Sequence, residues 1–247
     1  MARHQMASLA IIQARMGSTR LPGKVLLGVG TESVLGRVVQ RLRRAALIDG
    51  VVVATTDRPS DAAIIRECNG LQVACLRGSE NDILDRYRQA AKWFGAEVIV
   101  RITSDCPLID PELVDATIQA FFSQPCDYAS NALERTYPRG LDTEVFTIAA
   151  LERAWREARK PYEREHVTPY IYEHPELFRL VSVRAECDYS AYRWTLDTPA
   201  DLRLIRAIYA RFGDRDYFGW RAILALMERE PELAGLNAHI AQKAVHA

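Results

Sequence analysis

Residues 11–24 read Ile-Ile-Gln-Ala-Arg-Met-Gly-Ser-Thr-Arg-Leu-Pro-Gly-Lys, so an apolar run ends in a loop with two glycines and three cations. Gly17 and Gly23 let backbone N–H groups approach a ligand closely, and Arg15, Arg20 and Lys24 add charge that amides alone cannot supply. A nucleoside triphosphate calls for both. The loop is not a P-loop: five residues separate Gly17 from Gly23, and Val25 rather than Ser or Thr follows Lys24. The chain also has no Gly-x-Gly-x-x-Gly.

Two aspartates share a local setting. Residues 98–103 lead into Ser104-Asp105-Cys106-Pro107, and residues 192–196 lead into Asp197-Thr198-Pro199. Each acid follows an apolar run, and a proline two positions later stops a strand. Strand ends on one edge of a parallel sheet converge, so Asp105 and Asp197 can meet although 92 positions separate them. Two carboxylates, triphosphate oxygens and waters suit magnesium, which seldom takes an all-protein cage. Asp-x-Pro can equally cap a helix or turn, which would leave a non-catalytic nucleotide-binding protein. A nucleotide-sugar glycosyltransferase is the rival enzyme, although its Asp-x-Asp is absent at Asp105-Cys106-Pro107.

The elements that must position these groups alternate. Residues 9–12, 51–54, 73–76 and 98–102 are short β-branched apolar runs that predict buried strands. Between them, Leu35, Val38, Val39, Leu42 and Ala46 share one helical face, and Ile64 and Ile65 mark a shorter helix. Asp82 can cap a third, with Ile83, Tyr87, Ala90, Ala91 and Phe94 inward and Gly95 at its end. Asp110-Pro111-Glu112 opens a fourth. This order predicts an α/β fold, a mostly parallel sheet with helices on both faces. After about residue 123 the rhythm becomes irregular, with helices near 149–159 and 163–173, returning strands at 177–183 and 192–196, and a helix from Thr198-Pro199. Arg37, Arg41, Arg43 and Arg44 suggest a solvated helix face.

The chain has 247 residues, 49% of them hydrophobic, and 32 cationic side chains against 32 acidic ones. That fits a single domain whose neutrality gives no global field for nucleic acid or anionic membrane. We divide it into a nucleotide-binding part (8–125), an acceptor and dimerisation part (126–215) and a C-terminal helical tail (216–247). No apolar run reaches a membrane span, and residues 1–7 carry no signal-peptide core. Five dispersed cysteines without Cys-x-x-Cys argue for reduced thiols and a cytoplasmic protein.

Residues 14–24 resemble the signature of the sugar-acid cytidylyltransferases, and most of the chain from residue 8 to about 212 is similar to the spore-coat polysaccharide biosynthesis protein F group. The resemblance implies a nucleotide-diphospho-sugar transferase-like fold, CTP as substrate and a CMP-linked product with release of pyrophosphate. It implies nucleotide contacts at Ala14, Arg15, Gly17, Ser18 and Lys24, metal at Asp105 and Asp197, and base contacts from Arg77, Ser79 and Asp82; Asp82 serves as well for a cap. The acceptor, a sugar acid or a phosphorylated alcohol, would meet Arg139, Glu144, Glu165 and His166, and a guanidinium such as Arg139 suits a carboxylate or phosphate. Members of this family commonly pair as homodimers, and Leu133, Tyr137, Leu141, Val145 and Phe146 put apolar area in the segment expected to pair.

Overall fold

The computed structural model describes residues 8–213 and 215–242; the N-terminal lead, residues 1–7, lies outside them. Strands β1 (Ser8–Gln13), β4 (Gly50–Thr56), β5 (Ala74–Gly78) and β6 (Val98–Thr103) run parallel, in the order β5-β4-β1-β6. The sheet continues through β8 (Glu144–Thr147), β7 (Tyr128–Ser130) and β9 (Leu180–Ser182). Only β8 runs against the rest. Residues beyond 125 therefore extend the first sheet and do not build a second one. A hairpin of β2 (Gly28–Val29) and β3 (Glu32–Ser33) stands apart.

Strand β1 shows how sequence fixes the layers. Its side chains alternate, Ala10 and Ile12 entering one core and Leu9 and Ile11 the other. Helices α1 (Val34–Leu42), α2 (Ala62–Gly70) and α4 (Pro111–Ser123) cover the first face, and α3 (Ile83–Trp93) and α5 (Ile148–Glu157) the second. Each fully buried Ile or Leu contributes about 1.5–3 kcal/mol. A third core joins α8 (Pro199–Arg211), α9 (Trp220–Arg229) and α10 (Pro231–Gly235) around Trp194, so the C-terminal helices belong to the body. Cross-strand register places Gln13 beside Ala54 and Thr103, and Thr56 beside Gly78. The carboxyl ends of four strands thus form one rim.

Several expectations need correction. Residues 192–196 form no strand; a single bridge, Arg139 to Arg193, replaces it. The helix expected over 163–173 is two, α6 (Pro161–His166) and α7 (Pro169–Tyr172), because Val167 takes φ 74° and Pro169 starts anew. Phe94 is 41% exposed, since α3 has already ended at Trp93. Arg37 and Arg41 are not solvated, being only 1% and 0% exposed. Arg37 donates to Val29 O and pairs with Asp216 at 2.9 Å, while Arg41 donates to the carbonyls of Ile109 and Phe218. An amphipathic stem with five donors can be buried where carbonyls converge. Finally, Tyr137, Leu141, Val145 and Phe146 are buried within their own chain, and Leu133 is partly so. Their apolar area is spent inside the fold.

Candidate active site

The rim opens into a cleft of about 900 Å³. Its floor begins at residue 14, where β1 ends and the loop turns. Met16 O accepts from Ser18 N (2.9 Å) and Gly23 N (3.1 Å), closing the loop on itself. Gly23 sits at φ 67° before a 3-10 turn, Lys24–Leu26, and a side chain there would press Met16 at 3.2 Å. Asp61, which sequence reading passed over, anchors the loop from outside. It accepts from Met16 N at 3.0 Å and from the hydroxyls of Thr55 and Thr56. Burial opposes its charge, but these hydrogen bonds outweigh it and hold the carboxyl below its ordinary range.

The turn aims Lys24 at the two aspartates. Its Nζ lies 2.8 Å from Asp105 Oδ2, 2.9 Å from Asp197 Oδ1 and 2.8 Å from Leu196 O. Residues 92 positions apart are therefore held by one ammonium. Arg20 reaches Asp197 Oδ1 at 2.9 Å, and Arg193 reaches Asp197 Oδ2 at 2.8 Å. Burial works against the Lys24 charge, yet Asp105 and Asp197 raise its pKa. Burial likewise opposes the Asp197 charge, while Lys24, Arg193 and Arg20 hold its pKa down. Neither aspartate caps a helix. The N-cap of α8 is Thr198, with Asp201 completing a capping box, and α4 is capped by Asp110. Arg193 also pairs with the buried Asp201, whose Oδ2 accepts from Asp197 N, so Asp197 is tied at backbone and side chain.

Among the described residues no three His, Cys, Asp or Glu side chains gather as a metal cage. Two carboxylates converging on one cation are nevertheless the donor set magnesium accepts, the remainder being waters and phosphate oxygens. Neighbouring Cys106 is buried, and burial with Asp105 beside it raises its pKa, leaving a protonated thiol against Thr103.

The far wall carries the expected acceptor groups. Arg139, Glu144, Glu165 and His166 all line the cleft. Glu165 lies 3.8 Å from Arg15, joining two sequence-named residues. Glu144 is already held by Arg101, by Tyr128 OH at 2.9 Å and by the Thr168 hydroxyl. Arg135 grips Asp142 by two 2.6 Å bonds beside Arg139. Gly140 lets this wall approach closely: at φ 106°, a Cβ would fall 2.5 Å from Trp194 C.

The base-contact expectations fare differently. Arg77 donates to the carbonyls of Thr56, Asp57 and Arg58, binding β5 to the next loop, and it does not line the cleft. Ser79 Oγ accepts from Asp82 N, and Asp82 caps α3 while pairing with Arg164. Arg77, Ser79 and Asp82 thus have partners within the protein, backbone groups for all three and the Arg164 guanidinium for Asp82. Residues that line the cleft yet escaped notice, Gln13, Arg86, Arg101 and Arg135, sit inside strands, helices or irregular chain without motif spacing.

Comparison with known proteins agrees with this geometry. Residues 9–222 match the family described as Cytidylyltransferase. The spore coat polysaccharide biosynthesis protein SpsF of Bacillus subtilis is 39% identical over 235 residues, 92% of this chain and 96% of that one. A 3-deoxy-manno-octulosonate cytidylyltransferase of Trichlorobacter lovleyi is 35% identical over 120 residues, covering 49% and 47% of the two chains. The solved structure of a cytidylyltransferase from Leptospira borgpetersenii superposes with TM-score 0.90 at 35% identity, over 97% of this chain and all of the other.

Proposed function

This chain belongs to the cytidylyltransferase family, and from that premise we propose that it activates a sugar acid, or a related acceptor such as a phosphorylated alcohol, with CTP for polysaccharide synthesis. An acceptor oxygen attacks the α-phosphorus in line, its bond to the α-phosphorus forms as the α–β bridging bond breaks, and pyrophosphate leaves. The observation that supports this most is Lys24 Nζ between Asp105 and Asp197 at the mouth of the glycine–arginine loop. Phosphoryl chemistry requires mainly positioning and charge neutralisation. Lys24, Arg15 and Arg20 supply positive charge beside that loop, and Asp61 holds the loop's backbone in shape. Asp105 and Asp197 would hold magnesium, which when bound offsets triphosphate charge. Arg139, next to Arg135 and Asp142, suits an acceptor carboxylate or phosphate.

The test is pyrophosphate release from CTP and magnesium across a panel of nonulosonic acids and phosphorylated alcohols. Release that depends on one acceptor supports the reading; intact nucleoside diphosphate with transferred sugar would favour a glycosyltransferase. Homodimerisation stays a proposal resting on the resemblance, because the apolar side chains expected to pair are buried in their own fold. Light scattering giving a mass near 27.9 kDa, rather than twice it, would remove the dimer.

A further inference from the structure

Among the described residues Asp197 pairs with Lys24, Arg20 and Arg193, and the last of these is itself held from far along the chain. Every nitrogen of the Arg193 guanidinium donates: Nε to Asp201 Oδ1 at 3.0 Å, Nη2 to Asp197 Oδ2 at 2.8 Å, and Nη1 to Gln242 Oε1. Gln242 lies 49 positions further on, past α10, yet it lines the cleft together with Asp197 and Arg139. Asn237 brings the chain there. It is 2% exposed, and its Nδ2 donates to Arg193 O at 2.9 Å and to Asp201 Oδ1 at 2.8 Å. Both partners only accept, so the place requires an amide NH2. Gln242 is the converse case: a guanidinium only donates, so a side-chain oxygen must face it.

Arg193 is therefore fixed at main chain and side chain. Trp194 N donates to Arg139 O on one side, and Asn237 takes the Arg193 carbonyl on the other. A guanidinium tied at all three nitrogens cannot swing, and it holds Asp197 Oδ2 in one direction. Asp197 Oδ1 is then the oxygen that faces Lys24 and Arg20. Asp201 belongs to the same network, its Oδ2 accepting from Asp197 N, Thr198 N and the Thr198 hydroxyl. Polar groups joined in this way polarise and rigidify one another. Gln242 itself is exposed and enters no apolar core, so its loss would change chiefly the freedom of Arg193.

We propose that the C-terminal segment is a working wall of the active site. Gln242 is a positioning residue that fixes Arg193 and, through it, the direction of the Asp197 carboxylate; Asn237 is the anchor that returns the chain to the cleft. The effect on turnover rests on the nucleotidyl-transfer reading above, and the hold on Arg193 rests on geometry alone.

Two readouts in the full-length protein test it in wild type, Gln242→Leu, Gln242→Glu and Asn237→Ala. The first needs no turnover. Proton exchange at Arg193 Nε–H is followed by nuclear magnetic resonance without ligand, the signal being assigned by its loss in Arg193→Lys. Gln242→Leu should speed this exchange about tenfold, the equivalent of one hydrogen bond to a charged group. Gln242→Glu, which returns an oxygen to Nη1, should restore the protection. The second readout is pyrophosphate release. In Gln242→Leu, kcat should fall about tenfold with KM for CTP within about twofold, because Asp197 is misdirected while the loop of residues 14–24 is untouched. Gln242→Glu should recover most of that loss, and the melting temperature of Gln242→Leu should not move. A merely structural tail would do the reverse, lowering the melting temperature and sparing kcat. Asn237→Ala should reproduce the faster exchange and slower turnover, and adding Gln242→Leu to it should change neither further. Unchanged exchange or unchanged kcat in Gln242→Leu overturns the proposal, and so do losses that simply add in the double variant. A wild type that releases no pyrophosphate overturns nucleotidyl transfer instead, and faster exchange in Gln242→Leu would still stand as the tail's hold on Arg193.

Discussion

Lys24 contributes to both the fold and the site, and the two contributions can be measured separately. Among the described residues its ammonium is the one cation touching Asp105 and Asp197 together, whereas Asp197 keeps Arg20 and Arg193 without it. Replacing Lys24 by Met should therefore cost about 1–3 kcal/mol in urea unfolding, mostly from Asp105 left beside a neighbour of like charge. Pyrophosphate release should fall about 10²–10³-fold, the usual loss for one electrostatic donor; turnover near wild type would remove Lys24 from the chemistry. Asp105→Asn separates the roles more cleanly. The amide oxygen still accepts from Lys24 and no helix loses its cap, so the midpoint should hold while turnover collapses. Thr198→Ala should give the opposite pattern: with the α8 capping box gone, about 1 kcal/mol of stability is lost and turnover is largely kept. Turnover kept in Asp105→Asn would remove that carboxylate from the chemistry.

At the scale of elements, the close contact between residues 139–140 and 193–195 holds the Arg139 wall of the cleft to the end where Asp105 and Asp197 meet. Trp194 N donates to Arg139 O at 2.6 Å, and Gly140 has backbone atoms of Trp194 and Thr195 where a side chain would stand. Gly140→Ala should thus cost about 3 kcal/mol or more, combining backbone strain with a clash that no side chain can relieve. Urea unfolding measures it, and a loss under 1 kcal/mol would show that the two segments part easily. The same contact marks what the sequence could reveal. Strands β1, β4 and β6 and their covering helices were legible, because periodicity reports position along the chain; Asp105 and Asp197 do meet, but through Lys24 and the Leu196 N–Asp105 O bond, since Asp197 ends no strand. Residues 192–196 looked like a strand from their apolar content, but among the described residues their β-pairing is one isolated bridge to Arg139. Pairing depends on a partner and not on composition. Arg37 and Arg41 were illegible for a related reason: a charged residue's burial is decided by carbonyls and neighbours far away in sequence.

Across the whole molecule, the apolar cores are indifferent to pH, whereas the cleft is held by ionised groups with shifted pKa values. Asp61, Asp197 and Asp201 all sit below the ordinary aspartate value of 3.8, in each case because hydrogen bonds or cations outweigh burial. Unfolded, these acids take protons near their ordinary values, before the folded protein does. Their contribution is complete above about pH 4 and is lost as pH falls through the lowered folded values. Lys24 has the opposite sign. Its pKa is raised above 10.5, so its contribution is complete below that value and is lost as pH climbs through the raised one. The urea midpoint should therefore be nearly flat from about pH 5 to about pH 9 and decline on both sides. Asp61 gives the sharpest check, because its carboxylate anchors the loop of residues 14–24 through Met16 N without touching Asp105 or Asp197. Asp61→Asn keeps an oxygen for that N–H but removes the titration. Its acid limb between pH 5 and pH 3 should be shallower than wild type, while the alkaline limb, to which Lys24 and the buried tyrosines and cysteines with raised pKa values contribute, should superimpose. An unchanged acid slope would mean that Asp61 is protonated as readily in the fold as out of it, and the anchoring of the loop would then have to come from backbone contacts alone.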